Sequence, residues 1–465
     1  MEQAKKVAKN TGILYIQMGI TVFISLYSTR LILSVLGVSD FGVFSIVGGV
    51  ISMLTFLNNA MTTATQRFMS YTQGEGNLIK QKKIFNVSVI LHIITAIAVI
   101  VLLEVAGIFL FDNILKIDFE RVEAAKIVYQ FMVLSTFFTV LSVPYDAVIN
   151  ARENMFLVAV LRIIEVVLKL GIAFFIVQIN FDKLITYGFL MASLAILIMI
   201  LKRIYCHKYY EEVVISFKKY FDKNLFKEMT SFASWSFLGC TTSMVGSFGQ
   251  GIVLNMFFGT TVNSAQGVAN QVRGQLSSLA TVVIKAINPM IVKSEGAGDR
   301  QLMLKASMLG SKVSFFLLLL LFVPVIIEMP YLFDLWLEDV PEFAIIFCRL
   351  LLIRGLIEQL SVTLRSAIGA VGNIRKFELF NAPLLILPLI FSWVVFNLDY
   401  PPYSMYIIFI TFEFFNAMLI MYFAILYCHL SILLYFREVL LRCMLSLSLI
   451  LAFSIAPSYL FSESL

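Results

Sequence analysis

The chain has 465 residues, of which 60% are hydrophobic and only 14% are charged, and its formal net charge is +6. Soluble domains carry about 25% charged residues, so this composition excludes a water-soluble globule. The basic residues are spread over short loops, which gives no sign of a surface that binds nucleic acid. At about 20 residues per span, the length accommodates about twelve to fourteen membrane-crossing helices.

Taken in chain order, the apolar runs predict a series of spans, the first of which is too long for the core of a signal peptide. Lysine and arginine concentrate at the N-terminus and in every second loop, whereas the loops between them are acidic. By the positive-inside rule, the N-terminus and the loop 204–229 are expected on the cytoplasmic side. The predicted spans cover residues 12–36, 41–66, 84–111, 124–150, 155–179, 183–203, 230–258, 262–292, 306–329, 342–370, 377–398, 402–428 and 439–461.

The two halves of the chain match each other at a constant offset. Gly37 closes the first span in "SVLGVSDFG", and Gly259, which lies 222 positions later, closes the seventh span in "NMFFGTTVNS". The same offset places "ATQRFMSYTQGEGN" (64–77) over "AINPMIVKSEGAGD" (286–299), so that two glycines and a final Asn or Asp coincide. Two matches at one offset indicate an internal repeat.

A repeat with an even number of spans predicts an all-α polytopic membrane protein of two six-helix bundles. The bundles are expected to be related by a pseudo-two-fold axis along the membrane normal, with one extra C-terminal helix, and this arrangement is typical of transporters. The predicted division is an N-terminal bundle, a cytoplasmic linker, a C-terminal bundle and an extra segment, at residues 1–203, 204–229, 230–428 and 429–465.

Three segments carry a resemblance to a known family: "LSVLGVSDFGVFSIVGGV" (33–50), "MTTATQRFMSYTQGEGN" (61–77) and "SAQGVANQVRGQLSSLATVVIKAINPMIVKSEGAGD" (264–299). They resemble the polysaccharide flippases of bacterial O-antigen and capsule pathways, which share a superfamily with the multidrug and toxin extrusion (MATE) antiporters. The resemblance implies a protein of the bacterial cytoplasmic membrane in which alternating access moves a polyprenyl-pyrophosphate-linked oligosaccharide to the outer leaflet. It also implies membrane lipids, a polysaccharide polymerase and glycosyltransferases as partners.

Ionisable side chains within predicted spans indicate where a wetted cavity lies, because charges at bilayer depth usually face a cavity or a partner. Helical spacing places Arg162, Glu165 and Lys169 on one face, and Arg273 has no acid on its own helix. The predicted substrate-binding residues are Arg273, Arg162, Lys169, Arg30, Arg354, Arg365, Asn270, Gln266 and Asn58. The predicted ion-coupling residues, for Na+ or H+ if either is used, are Glu165, Glu358, Glu104 and Glu413.

Cations outnumber acids in this set, so we expect a cationic central cavity that receives a pyrophosphate, with arginine as the phosphate partner. The structural alternative is that Arg162–Glu165 and Arg354–Glu358 are ion pairs, and Arg30 lies near enough to a span end to snorkel. The functional alternatives are a cation-coupled multidrug antiporter and a membrane enzyme. The lack of acids in the first, second, seventh and eighth spans favours the flippase over the antiporter, and the lack of a DxD pair disfavours the enzyme. No cofactor or metal site is predicted.

Overall fold

The computed structural model describes residues 2–53, 55–113, 119–337 and 339–460. The described residues form helices and no β-strand, which confirms the predicted all-α polytopic fold. The chain divides into two compact units, Met1–Phe237 (unit 1) and Leu238–Leu465 (unit 2). The finer division into bundles, linker and extra segment stays a prediction.

Unit 1 consists of long helices joined by short turns. A 3-10 turn at Phe119–Arg121 precedes α4, and the first residues of α8 also belong to this unit. The helices are α1 (Glu2–Met53), α2 (Thr55–Glu75), α3 (Leu78–Asn113), α4 (Val122–Ala151), α5 (Met155–Val177), α6 (Lys183–Tyr209), α7 (Phe217–Tyr220) and the start of α8 (Lys223–Gly296).

Unit 2 repeats this arrangement from within α8 onward. Its later helices are α9 (Arg300–Ile327), α10 (Met329–Trp336), α11 (Ala344–Val371), α12 (Arg375–Phe396), α13 (Ser404–Cys428), α14 (Ile432–Tyr435) and α15 (Leu441–Leu460). A π-helical turn at Phe436–Leu440 leads into α15, which packs against α9. The predicted thirteenth span therefore corresponds to a helix, and its last residue, 461, lies outside the described residues.

Within the described residues, eight helices are long and apolar enough to cross a membrane: α1, α3, α4, α6, α8, α9, α12 and α13. Helix α8 counts once although its 74 residues contain both predicted spans 230–258 and 262–292. Residue 54, within the predicted span 41–66, is outside the described residues. Helices α5 and α11 are also long, but each carries a group of charged residues. Large apolar side chains are exposed along these helices, as expected for surfaces that face lipid rather than water.

The internal repeat is visible in the backbone. Helix α1 leaves helical geometry at Gly37 (φ 76, ψ 170), and α8 does so at Gly259 (φ 75, ψ −168). A residue with a β-carbon rarely adopts this conformation, so glycine is required at both breaks. Helices α3 and α4 begin at residues 78 and 122, and α9 and α11 begin 222 positions later, at 300 and 344.

The repeat extends to the turns before α3 and α9. Gly76 and Gly298 both have positive φ, at 69° and 76°. Asn77 then accepts a hydrogen bond from the Lys80 backbone N–H at 3.0 Å, and Asp299 accepts one from that of Leu302 at 2.9 Å. Each turn therefore ends one helix with a left-handed glycine and caps the next with a short polar side chain.

The segment that follows α6 is held against unit 1 by side chains of that unit. Arg152 makes two hydrogen bonds to Glu212, at 2.8 and 2.7 Å, and the Glu212 side chain is only 1% exposed. Asn86 donates to the Val214 carbonyl at 2.7 Å and accepts from the backbone N–H of Ser216 at 2.8 Å. Helices occupy both ends of the predicted linker 204–229, since α6 continues to Tyr209 and α8 begins at Lys223.

Candidate substrate-binding cavity

A polar cavity of about 500 Å³ lies within unit 2. The two halves of α8, on either side of Gly259, contribute Ser243, Ser247 and Gln250 from the first and Gln266, Asn270 and Arg273 from the second. Helix α11 contributes Arg354, Glu358, Ser361 and Arg365, and α13 contributes Glu413 and Asn416. Steps of three and four residues place each set on one helix face, so the polar stripes of three helices line one cavity.

Each arginine of the cavity is held by a carboxylate. Arg273 Nη2 donates to Glu358 Oε2 at 2.8 Å, and Arg354 Nε donates to Glu413 Oε2 at 3.0 Å. Arg365 Nη2 lies 3.4 Å from Oε1 of Glu378 on α12, which is buried just behind the cavity. The cavity is therefore close to charge balance.

This finding corrects the expectation of unpaired cations. Arg273 has no acid on its own helix, but α11 supplies one from across the cavity. The predicted pair Arg354–Glu358 is also wrong, because Arg354 pairs with Glu413 and Glu358 pairs with Arg273. These contacts still leave donors available, since each guanidinium has five N–H groups and engages its carboxylate through one nitrogen.

Close packing of α8 against α12 fixes the wall behind Arg365. A β-carbon at Gly246 would lie 2.9 Å from the Leu385 carbonyl oxygen, and one at Gly239 would lie 2.5 Å from Oε2 of Glu378. Only glycine lets the helices approach this closely at these points. The approach buries Glu378, which also accepts a hydrogen bond from Asn381 at 3.1 Å.

The charged residues predicted on the fifth span form a ladder on α5 in unit 1. Glu165 accepts from Arg162 at 2.9 Å and from Lys169 at 2.7 Å. The predicted shared face is confirmed, and the three side chains carry one net positive charge. Arg162 is half exposed, so the ladder lies on a surface of the chain.

Glu104 is the one predicted ion-coupling residue with a neutral partner among the described contacts. It accepts from Gln130 at 3.1 Å, and both line a separate cavity of about 360 Å³ between α3 and α4. Arg30 is exposed on α1 and has no ion pair among the described residues. Asn58 is half-buried on α2, and its Oδ1 is a buried acceptor without a hydrogen-bond partner. None of these residues lines the cavity of unit 2.

The cavity has no polar counterpart in unit 1. The positions 222 residues before its charged and amide residues are apolar, and three of those side chains pack against the core of unit 1. Conversely, the positions 222 residues after the α5 ladder are Leu384, Leu387 and Phe391. The unit 1 equivalents of Gln266, Arg354, Arg365, Glu413 and Asn416 are Phe44, Met132, Val143, Met191 and Leu194.

Sequence reasoning missed several residues that line or support the cavity. Ser243, Ser247 and Gln250 follow one another at four and three residues in an apolar helix, so the periodicity that found the stripe on α11 also applies to them. Asn416 and the buried Glu378 belong to a repeated five-residue pattern that a comparison of the last two spans reveals. This pattern is developed below.

Two helical units that share a repeat, with an ion-paired polar cavity at bilayer depth, are typical of a membrane transporter. No family model and no curated protein matches the sequence. The fold is similar to that of a multidrug resistance MATE family transporter of the MOP superfamily in its outward-facing conformation. That match has a TM-score of 0.78, 12% sequence identity and coverage of 91% of this chain and 96% of the other.

Two further solved structures agree with this fold. The MATE transporter ClbM in complex with Rb+ matches with a TM-score of 0.70 and 14% identity over 93% of this chain and 96% of that chain. A MOP superfamily transporter from Pyrococcus furiosus, described as having a binding pocket of reverse polarity that suggests a different function, matches with a TM-score of 0.73 and 11% identity. It covers 92% of this chain and 97% of its own length. The chain therefore has the fold of the MATE transporters.

Proposed function

We propose that this chain is a membrane transporter that works by alternating access and moves a polyprenyl-pyrophosphate-linked oligosaccharide from the cytoplasmic to the outer leaflet. The proposed site is the cavity of unit 2, with the α5 ladder as a further cationic surface. The chain would lie in a bacterial cytoplasmic membrane with its N-terminus in the cytoplasm. A polymerase and glycosyltransferases of the same pathway would be its partners.

The observation that supports this proposal best is the state of the carboxylates in the cavity. Glu358 and Glu413 are each held by an arginine at 2.8 and 3.0 Å, so neither is free to receive a cationic drug. The arginines keep N–H groups that point away from their single carboxylate contact. Phosphate oxygens are suited to these donors, because the planar guanidinium matches phosphate geometry.

Arg273 is the proposed pyrophosphate contact. Its partner Glu358 is the most exposed carboxylate of the three pairs, at 41%, so this pair is the least costly to rearrange when an anion enters. The membrane potential favours the outward step, since two negative charges moving outward gain about 4–5 kcal/mol at 100 mV. The polyprenyl tail would remain in lipid, because its transfer into a polar cavity is unfavourable.

A cell-based assay tests the proposal. Deletion of the gene should leave polyprenyl-linked repeat units on the cytoplasmic side of the membrane, and the wild-type chain should restore export. Arg273→Ala should abolish export at equal protein abundance, whereas Arg273→Lys should restore it in part. Arg349→Ala is the matched control, because Arg349 lies on α11 but donates to the Ile326 carbonyl and does not line the cavity. Normal export by Arg273→Ala would remove this cavity from the transport path.

The second candidate, a cation-coupled drug antiporter, draws on Glu104. This carboxylate has an amide rather than a cation as its described partner, and it lines a cavity with Phe111 and Tyr129. An antiporter predicts that gene deletion leaves surface polysaccharide normal and lowers drug resistance, and that Glu104→Gln reproduces the resistance defect. A polysaccharide defect without a change in resistance excludes it.

A further inference from the structure

The last two helices of the repeat carry the same five-residue pattern, F-E-x-F-N. It occurs as Phe377–Asn381 near the start of α12 and as Phe412–Asn416 in α13. In both copies the Asn lies three residues after the Glu, which places the two side chains on one helix face. The unit 1 positions 222 residues earlier are 155–159 and 190–194, and neither segment has this pattern.

The two copies make the same contacts. Asn381 donates to Glu378 at 3.1 Å, and Asn416 donates to Glu413 at 3.4 Å. Each Glu in turn pairs with an arginine of α11, Arg365 in the first copy and Arg354 in the second. Each copy therefore builds a buried corner of one carboxylate, one amide and one guanidinium.

The copies differ in what the amide oxygen meets. Oδ1 is buried and has no hydrogen-bond partner in either copy. Asn381 is fully buried behind the cavity wall, whereas Asn416 and Glu413 line the cavity together with Arg354. A buried carbonyl oxygen without a donor is unfavourable. Only in the α13 copy can a molecule in the cavity supply that donor.

The α13 corner selects among ligand chemistries. The amide oxygen of Asn416 and the carboxylate of Glu413 need donors, whereas the free N–H groups of Arg354 need an acceptor. A phosphate offers acceptors alone, and a metal cation offers Arg354 only repulsion. A hydroxyl group both donates and accepts. The facing wall adds Ser243, Ser247 and Gln250, which are neutral hydroxyl and amide groups suited to further hydroxyls.

We infer that Glu413, Asn416 and Arg354 form a subsite for the hydroxyl groups of a sugar ring. This inference rests on the proposed function and assigns the glycan part of the substrate to one corner of the cavity. Arg354 lies four residues from Glu358 on α11, about 6 Å along the helix axis. The sugar subsite and the proposed pyrophosphate contact at Arg273 are thus adjacent, as the covalent link between sugar and pyrophosphate requires.

The test compares the two copies of the pattern in the full-length protein in detergent. Thermal unfolding is followed with a panel of methyl glycosides (hexosides, 6-deoxyhexosides and N-acetylhexosaminides), and separately with inorganic pyrophosphate and with NaCl. At least one glycoside should stabilise the wild type and Asn381→Leu, and its apparent affinity should fall about tenfold in Asn416→Leu, as expected for one lost hydrogen bond. Asn416→Ser and Asn381→Ser serve if the leucine variants do not fold.

The panel also separates the inference from the proposed function. If no glycoside binds, or if the Asn416 and Asn381 variants respond alike, the subsite is overturned. Stabilisation by NaCl that depends on Asn416 overturns it in favour of a cation site. Glycoside binding without an effect of pyrophosphate leaves the subsite standing and counts against the lipid-pyrophosphate substrate. Pyrophosphate binding without a glycoside effect has the opposite meaning.

Discussion

Replacing Arg354, Glu413 or both with methionine measures how much the cavity's ion pairs contribute to folding. The side chains are 16% and 8% exposed, and their N–O distance is 3.0 Å. Removal of one partner leaves the other as a buried, uncompensated charge, which costs about 3–5 kcal/mol in proteins. Replacing both with apolar residues of similar volume is often neutral. We therefore expect each single variant to lose about 3–5 kcal/mol and the double variant to lose much less than their sum.

The assay is reversible unfolding in mixed micelles with increasing SDS, read out by tryptophan fluorescence, for the four chains of the cycle. Arg442 and Glu438 are the matched control, since they lie 2.9 Å apart as an i, i+4 pair but are 51% and 28% exposed. Exposed pairs at this spacing contribute about 0.3–0.5 kcal/mol. A coupling energy for Arg354–Glu413 as small as that of the control would refute the reasoning. A double variant as unstable as the singles combined would do so as well.

Three further substitutions probe the backbone and the segment after α6. Gly37→Ala and Gly259→Ala should each lose about 1–3 kcal/mol in the same assay, because both residues have φ near 75° and no atom crowds a β-carbon there; equal losses are expected from the repeat, and no loss would contradict the positive φ. Gly246→Ala should lose about 1–3 kcal/mol through overpacking, since its β-carbon would meet a carbonyl oxygen of α12 at 2.9 Å; a stabilised variant would argue against the close helix contact. Arg152→Ala should leave Glu212 buried without its cation and release residues 210–222 to proteolysis, and an unchanged cleavage pattern would show that the pair does not hold this segment.

The fold was largely predictable from the sequence because its signals are local. Apolar runs about as long as a bilayer is thick identify spans, and a left-handed glycine is conspicuous where a helix must break. Gly37 and Gly259 were therefore recognisable as equivalent, and the structure gives them the same backbone conformation. The precise helix ends were less predictable, since α3, α6 and α9 extend four to six residues beyond one of their apolar boundaries into polar sequence.

The pairing of the charges could not be derived from periodicity. Helical spacing shows which residues share a face, so the α5 ladder and the α11 stripe were identified. It does not show which helices meet. Arg354 and Glu358 are four residues apart, a spacing that favours an ion pair in an isolated helix. In the folded unit Arg354 instead pairs with Glu413, 59 residues later, while Glu358 pairs with Arg273, 85 residues earlier. Such partners depend on tertiary packing.

The difference between the two halves at equivalent positions means that each half is a natural blank for the other. Unit 1 shows that this bundle folds with Phe44, Met132 and Met191 where unit 2 has Gln266, Arg354 and Glu413. The scaffold is therefore indifferent to whether these sites are oily or charged, provided that partners change together. Grafting the unit 1 side chains into unit 2 as a set would give a folded molecule with a silent cavity, against which any ligand response of the native chain can be read.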